Sequence, residues 1–337
     1  MKPFEYITAE SFEAAAAFLS EAHRSRRIPR RDDLLVKAGG IDVLDRLKER
    51  LATPTRVLNL FKLHEPDASR RISESDGMIR IHPLTTLAEL AASDLVKSRL
   101  PALADAAGHA ATPQVRNVAT IGGNLCQKPR CWYFRSHDFQ CLKKGGSTCY
   151  AVEGDNRYHA IFGAGACHIV HPSNTAVPLL AYDARLKLVR HADGKPAERT
   201  APLDDFFRVP TNPQDDENVL GPDELIREIE IPVQASGCAS GYVEVREKQS
   251  FDWPLVTCAA NLNDRKDPRI VVGAVAPIPW RLKNVEQLLA AEGAGDAVIS
   301  KARGLAPEGA SPMTHNSYKV QLVGVLVERA IRAAAKA

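Results

Sequence analysis

The sequence lacks the signatures of several classes of protein. It has no uninterrupted run of about 18 apolar residues, which a membrane-spanning helix needs. Its first six residues contain neither an apolar signal core nor a twin-arginine pair. Basic and acidic residues nearly balance, at 44 against 41, so the net charge of +3 gives no reason to expect a nucleic-acid partner. We therefore expect no membrane insertion, no nucleic-acid binding and, by this sequence alone, a cytoplasmic protein.

Two common phosphate-binding motifs are also missing: the dinucleotide fingerprint with three spaced glycines and the P-loop that ends in Gly-Lys-Ser/Thr. Two glycine pairs are present instead, Gly39-Gly40 (the first glycine turn) and Gly122-Gly123 (the second glycine turn). Consecutive glycines let the backbone approach a ligand closely and turn its N–H groups toward phosphate oxygens. Either pair alone also fits an ordinary tight turn, but two such turns in separate units could hold the two phosphates of a dinucleotide from both sides.

Cysteine pairs spaced as Cys-x-x-Cys, which are typical of zinc ribbons, are absent, and so are ferredoxin-type runs. Four of the seven cysteines nevertheless lie close together, with the spacing Cys131-x9-Cys141-x7-Cys149-x17-Cys167. Seven is an odd number, and a chain of 337 residues does not need disulfide staples, so we expect reduced thiols. From the residues alone, a zinc site, an iron–sulfur cluster and unliganded thiols all remain open.

Hydrophobic patterning divides the chain into three units and predicts an α+β fold. Residues 1–60 and 61–222 each have the pattern of a small α/β unit, and the second contains a cysteine-rich insert, about residues 126–170 (the insert). Residues 223–337 show strand-like stretches followed by helices, which predicts an antiparallel sheet covered by helices.

Two stretches lie near the boundary between the second and third units. Residues 209–223 are rich in Pro, Asn, Asp and Gly and lack periodicity, which predicts a linker or an exposed loop. Residues 225–232 are predicted to form the first strand of the C-terminal sheet. A long amphipathic helix is predicted from about residue 317 to residue 335, and its apolar face would cover that sheet.

Five blocks of sequence carry a resemblance to a known family. They are Ala38-Gly-Gly-x-Asp42, Thr112-Pro-Gln-Val-Arg-Asn-x-Ala-Thr-Ile-Gly-Gly-Asn-Leu125, Leu220-Gly-Pro-Asp-Glu-Leu-Ile-x-x-Ile-x-Ile-Pro232, Glu247-Lys-Gln-Ser-Phe-Asp-Trp-Pro-Leu-Val256 and Gly273-Ala-Val-Ala-Pro-x-Pro-Trp-Arg281. In this order they resemble the FAD-binding subunit of the molybdenum hydroxylase family, which includes xanthine dehydrogenase, aldehyde oxidoreductases, carbon monoxide dehydrogenase and 4-hydroxybenzoyl-CoA reductase. The resemblance implies a two-lobed fold, in which two small α/β subdomains (residues 1–60 and 61–222) clamp FAD. A C-terminal domain like that of the carbon monoxide dehydrogenase flavoprotein (residues 223–337) would follow.

The resemblance also implies which residues contact FAD. They are Val36, Lys37, Ala38, Gly39, Gly40, Ile41, Asp42, Val43, Ala111, Thr120, Gly123, Asn124, Asn174, Ile226 and Lys248. One of these positions departs from the family, which usually has Asp where this chain has Asn174 in His171-Pro-Ser-Asn-Thr175. An amide keeps the hydrogen bonding of a carboxylate but loses its charge.

Three short sequence motifs within and just after the insert resemble those of one branch of the family. They are Arg130-Cys-x-Tyr-Phe134, Cys141-x-Lys-Lys144 and Cys167-x-x-x-His-Pro-Ser173. Periplasmic aldehyde oxidoreductases and 4-hydroxybenzoyl-CoA reductases carry such an insert, which holds a [4Fe–4S] cluster near FAD. The resemblance therefore implies a cluster whose ligands are Cys131, Cys141, Cys149 and Cys167. Arg130, Lys143 and Lys144 would partly neutralise it, whereas Cys126, Cys238 and Cys258 are expected to pack as ordinary thiols.

The function that the resemblance implies is electron transfer within a larger enzyme. A molybdenum-cofactor subunit would oxidise the substrate, expected to be an aldehyde, and a [2Fe–2S] subunit would pass the electrons to FAD on this chain and on to an external acceptor. The three chains would form a heterotrimer or its dimer, exported to the periplasm if a partner carries a twin-arginine signal. No catalytic acid or base is identified. Three alternatives remain open: a stand-alone FAD-dependent oxidoreductase, a subunit of the 4-hydroxybenzoyl-CoA reductase type, and a binding module stabilised by zinc.

Overall fold

The computed structural model describes residues 2–24, 33–63, 71–192, 194–233, 238–248, 251–264 and 266–336. Within these residues the chain forms three β-sheets with helices packed against them. The strands are β1 (Glu5–Thr8), β2 (Leu34–Lys37), β3 (Arg56–Asn59), β4 (Ile72–Ser75), β5 (Met78–Ile81), β6 (Arg185–Ala192), β7 (Lys195–Pro202), β8 (Leu225–Pro232), β9 (Ser240–Val245), β10 (Val256–Asn261), β11 (Arg269–Gly273) and β12 (Trp280–Arg281).

The helices differ widely in length, and many of the short ones surround the insert. They are α1 (Phe12–Arg24), α2 (Ile41–Lys48), α3 (Leu87–Ala92), α4 (Asp94–Arg99), α5 (Pro101–His109), α6 (Pro113–Arg116), α7 (Ile121–Leu125), α8 (Trp132–Arg135), α9 (Ala176–Ala181), α10 (Leu203–Phe206), α11 (Lys283–Glu292), α12 (Asp296–Leu305) and α13 (Tyr318–Lys336). A 3₁₀ turn, Leu142–Lys144, lies in the insert. Among the described residues, no helix combines the length and the apolar character that crossing a membrane requires.

A three-stranded parallel sheet in the order β1-β3-β2 forms the first lobe. Helix α1 packs on it through side chains three and four residues apart, as expected of an amphipathic helix. Phe12 and Leu19 are at most 3% exposed and share a core with Leu34 and Leu58 of the sheet. Helix α2 forms the crossover from β2 to β3, which parallel strands require because both run in the same direction. The first glycine turn therefore connects the end of β2 to the start of α2.

A five-stranded antiparallel sheet in the order β4-β5-β8-β6-β7 forms the second lobe. Strand β8 belongs to this sheet, so the prediction that residues 225–232 open the C-terminal sheet was wrong. Ile229 and Ile231 of β8 are fully buried opposite Ile81 and Ile79 of β5, and such cross-strand pairs stabilise a sheet. The apolar pattern of a strand identifies its buried face, but it does not identify the sheet that the strand joins.

A four-stranded antiparallel sheet in the order β12-β11-β10-β9 forms the C-terminal domain. Strand β10 is buried along its whole length because its two faces pack into different cores. Cys258 and Ala260 lie in the core beneath α13, whereas Ala259 lies in the core of the second lobe. The apolar face predicted for the last helix is confirmed, since Leu326 and Ile331 of α13 are fully buried against this sheet. The C-terminal sheet thus lies between α13 and the second lobe.

The close packing of β9 under α13 gives a first prediction. A Cβ at Gly241 would stand 2.7 Å from Cβ of Ala333 and 2.9 Å from the carbonyl oxygen of Ala330. We expect Gly241→Ala to lower the free energy of unfolding by about 1–3 kcal/mol, because overpacking forces backbone shifts. Gly304→Ala in α12, where no atom lies within 4 Å of the added methyl, is the control and should stabilise by about 0.5–1 kcal/mol. Urea unfolding of both variants tests this, and equal effects would contradict it.

Candidate functional site

A cleft of about 390 Å³ (the large cleft) lies where the two lobes and the C-terminal domain meet. The first glycine turn and the start of α2 form one part of its wall, and the second glycine turn with the start of α7 forms another. Residues 224–226 at the start of β8 and residues 251–254 before β10 complete it. Sequence blocks that are far apart along the chain therefore surround one space.

The first glycine turn lies against residues 118–119, which lead into the second glycine turn. A Cβ at Gly39 would stand 1.8 Å from the carbonyl oxygen of Val118, so this approach requires glycine. Gly40 has a φ of +90°, in the left-handed region that favours glycine, and it is the N-cap of α2. The Oγ1 atom of Thr120 accepts a hydrogen bond from the N–H of Gly123 at 3.2 Å and so caps α7. The start of α2, whose first N–H groups lack partners within the helix, thus borders the cleft. The first N–H groups of α7 are already used, since those of Ile121 and Gly122 donate to the carbonyls of Thr85 and Pro83, both at 2.9 Å.

Asn124 is held in one orientation by two hydroxyl groups. Ser173 and Thr175 both donate to its Oδ1, at 2.5 and 2.8 Å. Because the amide oxygen is used in this way, the two amide N–H groups lie on the other side of the side chain. Asn124 lines the large cleft and is therefore fixed as a hydrogen-bond donor to a ligand there.

Asn174 lies beside a carboxylate of the C-terminal domain. Its Nδ2 donates to the hydroxyl of Tyr242 and to Oε2 of Glu244, both at 3.4 Å. Glu244 also accepts from Tyr242 at 2.9 Å and pairs with Arg246. An aspartate at position 174 would face the Glu244 carboxylate, and two like charges disfavour each other's ionised form. The uncharged amide of Asn174, at the position where the resemblance led us to expect Asp, avoids this repulsion.

The large cleft collects most of the residues that the resemblance places on FAD. Those that line it are Val36, Ala38, Gly39, Gly40, Ile41, Asp42, Val43, Ala111, Thr120, Gly123, Asn124, Asn174 and Ile226. Lys37 and Lys248 do not. Successive side chains of a strand point to opposite faces, so Lys37 turns away from the cleft and donates to Oδ1 of Asn59 at 3.0 Å. Lys248 is exposed beyond the end of β9.

The lining residues that were not predicted include Arg46 and Trp253. Arg46 follows Asp42 by four residues on α2, and residues four apart share a helix face, so this spacing could have indicated it. Trp253 is 49% exposed, and the guanidinium of Arg130 lies 5.1 Å from its ring centroid. No local pattern marks this contact, because the two residues lie far apart in the sequence.

Four charged residues (the arginine clamp) join α2 to the insert: Asp42, Asp45, Arg130 and Arg135. Arg135 donates to Asp42 at 2.6 Å and to Asp45 at 3.0 Å. Arg130 reaches the same two carboxylates at 3.2 and 3.0 Å. The two arginines balance the negative charge of Asp42. Its carboxylate at the start of α2 therefore repels an anion in the large cleft less strongly. Arg130, expected to neutralise a cluster, is paired with α2 instead.

The four predicted ligand cysteines line one small cavity of about 20 Å³ (the cysteine cavity). They are Cys131, Cys141, Cys149 and Cys167. Gly146 keeps the turn between Cys141 and Cys149 tight, because a Cβ there would stand 1.8 Å from the carbonyl oxygen of Gln140. The remaining wall is mostly aromatic or apolar and includes Tyr133, Phe134, Leu142, Tyr150, Ala151 and Ile169. Tertiary folding thus brings together sulfurs that are widely spaced in the sequence.

The other three cysteines lie outside this cavity. Cys126 lines the large cleft, and burial raises its pKa to about 12. Cys238 and Cys258 are buried in apolar clusters of the second lobe and the C-terminal domain. All seven cysteines are free of disulfide bonds.

The chemistry of the cysteine cavity suits a positively charged centre. Burial raises the pKa of Cys131 to about 12 and that of Cys167 to about 11. The backbone N–H of Phe134 opposes this shift at Cys131, and the charge of Lys143 opposes it at Cys167. Thiols in such a place keep their protons unless a cation compensates the charge of the thiolates. A metal centre supplies that charge and deprotonates its thiol ligands.

The four cysteines share a cavity without forming a metal site as they stand. In the described part of the chain, no group of three or more His, Cys, Asp or Glu side chains is arranged to hold a metal ion. The [4Fe–4S] cluster implied by the resemblance therefore stays a prediction.

The segment predicted as a linker or exposed loop, residues 209–223, packs against the insert. Asp216 and Glu217 are only 7% and 4% exposed, so the prediction of an exposed loop was wrong at these residues. Glu217 pairs with Lys143, and both side chains are 5% exposed. Asp216 pairs with Lys128. Composition indicates a turn where Pro, Asn and Asp accumulate, but it does not reveal distant lysines that bury the carboxylates.

A second cleft of about 150 Å³ (the middle cleft) lies between the large cleft and the cysteine cavity. It shares Arg130, Asn174 and Trp253 with the large cleft. It shares Cys131 and His159 with the cysteine cavity. The large cleft and the cysteine cavity are therefore neighbours, connected by side chains that line more than one of the three spaces.

The comparison with known families agrees with this geometry. Residues 2–234 match the family described as the FAD binding domain in molybdopterin dehydrogenase. Residues 241–334 match the CO dehydrogenase flavoprotein C-terminal domain. The chain belongs to the flavoprotein subunits of the molybdenum hydroxylases. The boundary between the two matches follows β8, in agreement with the place of that strand in the second lobe.

Relatives of this flavoprotein subunit include enzymes with different substrates. The aldehyde oxidoreductase FAD-binding subunit PaoB of Escherichia coli K12 is 33% identical over 294 residues, which are 85% of this chain and 86% of the relative. The carbon monoxide dehydrogenase medium chain of Hydrogenophaga pseudoflava is 27% identical, over 98% of this chain and 96% of the relative.

Solved structures share the fold of the whole flavoprotein subunit. A structure of carbon monoxide dehydrogenase from Hydrogenophaga pseudoflava matches with a TM-score of 0.72 and 24% identity, covering 100% of this chain and 99% of that one. A structure of quinoline 2-oxidoreductase from Pseudomonas putida 86 matches with a TM-score of 0.72 and 21% identity over the same shares. The fold class predicted from the sequence is confirmed.

The contact between Gly39 and Val118 gives a prediction on flavin binding. Gly39→Ala should abolish most FAD binding, because the added methyl would collide with the carbonyl of Val118 and push the first glycine turn away from the segment that leads into the second. Flavin absorbance per chain after purification measures the loss. Gly108→Ala in α5 is the matched control, since its methyl would lie 3.6 Å from Cβ of Ala91, an ordinary contact. Full flavin content in Gly39→Ala would contradict the role given to this contact.

The buried pair between the insert and residues 209–223 gives a prediction on stability. Lys143→Met leaves the Glu217 carboxylate buried without its ammonium partner, which typically costs about 3–5 kcal/mol. Lys301→Met removes a pair with Glu292 whose side chains are 59% and 43% exposed, and should cost at most about 1 kcal/mol. Chemical unfolding compares the two variants. Similar losses would mean that the Lys143 pair does not hold the insert.

Proposed function

We propose that this chain is the FAD- and [4Fe–4S]-binding electron-transfer subunit of a heteromeric molybdenum-containing hydroxylase of the aldehyde oxidoreductase kind. Electrons released on a molybdenum-cofactor subunit would pass through the [2Fe–2S] centres of another subunit to FAD, and then to an external acceptor. The single observation that carries the proposal is the cysteine cavity. Its four cysteines, widely spaced in the sequence, converge next to the clefts that contain the predicted FAD residues.

The large cleft fits FAD in several respects. Gly39, Gly40 and Gly123 allow the backbone to approach a pyrophosphate, and the start of α2 favours negative charge. Asn124 adds an oriented donor, and Ile226 adds apolar surface. When bound, FAD exchanges electrons both with one-electron centres and with an external acceptor. The residues of the cleft bind it, orient it and shield it from water.

The cysteine cavity fits a [4Fe–4S] cluster held by Cys131, Cys141, Cys149 and Cys167. Such a cluster supplies a one-electron redox centre. The wall of the cavity is largely aromatic and apolar, and it also contains Lys143, His159 and His168. Exposure to water and hydrogen bonds to the sulfurs both contribute to the potential of a bound cluster. The cysteine cavity adjoins the middle cleft, which in turn adjoins the large cleft. This proximity supports the proposal that the cluster and FAD exchange electrons.

The carboxylates of the large cleft favour an electron-transfer subunit over a stand-alone flavoenzyme. A stand-alone enzyme needs a base or acid beside the flavin. Of the three carboxylates that line the cleft, Asp42 is engaged in the arginine clamp, Glu224 forms a two-point ion pair with Arg199 at 2.6 and 2.7 Å, and Asp252 accepts a hydrogen bond from the backbone N–H of Trp253 at 2.8 Å. No histidine lines the large cleft within the described ranges. The substrate chemistry is accordingly assigned to a partner chain.

The kind of substrate follows from the relatives. The relative with 33% identity is named as a subunit of an aldehyde oxidoreductase, and this is the basis for proposing aldehydes as substrates of the complex. A complex of the 4-hydroxybenzoyl-CoA reductase type would contain the same two cofactors on this chain. The two are distinguished by which substrate reduces the flavin of the purified complex.

The proposal predicts the iron and flavin content of the protein. The purified chain should contain FAD and about four iron atoms per chain, with the broad visible absorbance of an iron–sulfur cluster. Cys141→Ser should remove the iron and this absorbance while most of the FAD stays bound. Cys258→Ser, in the C-terminal core, is the matched control and should leave both cofactors in place. Iron, labile sulfide and flavin analyses measure these quantities.

Several outcomes would overturn the proposal or part of it. A colourless protein that contains zinc would show that the cysteine cavity belongs to a structural site. Flavin without iron would remove the cluster from the proposal. Anaerobic bleaching of the flavin by an aldehyde in the isolated chain would indicate a stand-alone enzyme, because the proposed subunit needs its molybdenum partner for that reaction.

A further inference from the structure

His159 faces one of the predicted cluster ligands. Its Nε2 lies 3.2 Å from Sγ of Cys131, within hydrogen-bond distance for sulfur. Its ring lies against Trp132 and Tyr133, with centroids 5.8 and 6.1 Å apart. The residue lines both the cysteine cavity and the middle cleft. It therefore stands between the proposed cluster and the space that adjoins the large cleft.

The backbone of His159 is fixed by the C-terminal domain, outside the insert. Its carbonyl oxygen accepts hydrogen bonds from Nδ2 of Asn316 and Nζ of Lys319, each at 3.2 Å. Lys319 is fully buried and also donates to the carbonyls of Tyr158 and Ala274, at 3.1 and 2.8 Å. These contacts hold the main chain that carries the ring. The Nε2 atom is accordingly placed against the sulfur by tertiary structure.

We propose that His159 is a positioning residue for the cluster: its Nε2–H donates a hydrogen bond to Sγ of Cys131 and thereby raises the reduction potential of the cluster. The inference rests on the proposed function, because it requires a cluster in the cysteine cavity. A ligating cysteine is a thiolate and carries no proton, so the nitrogen that faces it must carry one. The hydrogen bond withdraws negative charge from the sulfur and stabilises the reduced form, which has one electron more.

A second histidine of the cysteine cavity provides a matched control. His168 lines the same wall, but the structure records no hydrogen bond from its ring to any of the four cysteine sulfurs in the described residues. Its substitution changes the volume and polarity of the cavity to a comparable degree. Substitution of His168 leaves the proposed donor in place. Comparing the two substitutions therefore distinguishes the loss of one specific hydrogen bond from a general change in the cavity.

The test is an EPR-monitored redox titration of the full chain, with its partner chains if they copurify. His159→Phe keeps a ring but removes the donor, and we expect the redox equilibrium of the cluster to shift about tenfold toward the oxidised form. For a one-electron couple this is a midpoint about 59 mV lower. His159→Gln, whose amide retains an N–H, should keep most of the original potential. His168→Phe should shift the midpoint far less than His159→Phe does.

A second measurement covers the case in which His159→Phe loses its cluster. Pulsed EPR of the reduced unsubstituted protein, labelled with ¹⁵N-histidine, should detect one weakly coupled histidine nitrogen and an exchangeable proton near the cluster. Absence of that coupling would overturn the proposal. An unchanged potential in His159→Phe, or equal shifts at His159 and His168, would also overturn it.

The outcomes for this inference and for the proposed function are separate. If the unsubstituted chain contains no iron or labile sulfide, the cluster itself is wrong. If the cluster is present and the potential does not respond to His159→Phe, only the role of His159 is wrong, and the electron-transfer function stands.

Discussion

The ion pairs between α2 and the insert connect the two proposed cofactor sites. Asp42 and Asp45 belong to the helix that starts at the large cleft, whereas Arg130 precedes the first cysteine of the cysteine cavity. Partly buried charges are costly unless their hydrogen bonds are complete, and Arg135 completes its own by donating to the backbone carbonyls of Pro129 and Lys128, at 2.7 and 2.9 Å. The arginine clamp therefore fixes the main chain just before Cys131 relative to the first lobe.

Two further anchors hold the insert from other directions. The buried pair of Lys143 and Glu217 ties it to residues 209–223 of the second lobe, and Asn316 and Lys319 tie residue 159 to the C-terminal domain. The insert is thus fastened to all three parts of the molecule. The proposed cluster would therefore be held at a fixed place relative to the large cleft.

Local patterns predicted much of the fold, and the resemblance named thirteen of the residues that line the large cleft. The glycine turns were visible because close backbone approach excludes side chains, as Gly39 against Val118 shows. The amphipathic period identified the buried face of α13. Other features depend on partners distant in sequence. The side of β2 that faces the cleft was not predicted: the side chain of Lys37 turns toward Asn59, while the contact of this residue with FAD stays a prediction. Residues 225–232 were assigned to the wrong sheet for the same reason.

The sequence by itself determined the family, the fold class, the two glycine turns and the identity of the four clustered cysteines, because these features depend on residue type and short-range spacing. Tertiary structure alone decided which carboxylates pair with Arg130 and Arg135, why an amide suits position 174 beside Glu244, and which histidine faces Cys131. The physical reason is that electrostatic and hydrogen-bonding partners act over a few ångströms in space, whatever their separation along the chain. Such contacts exist only once the sheets and the insert have packed.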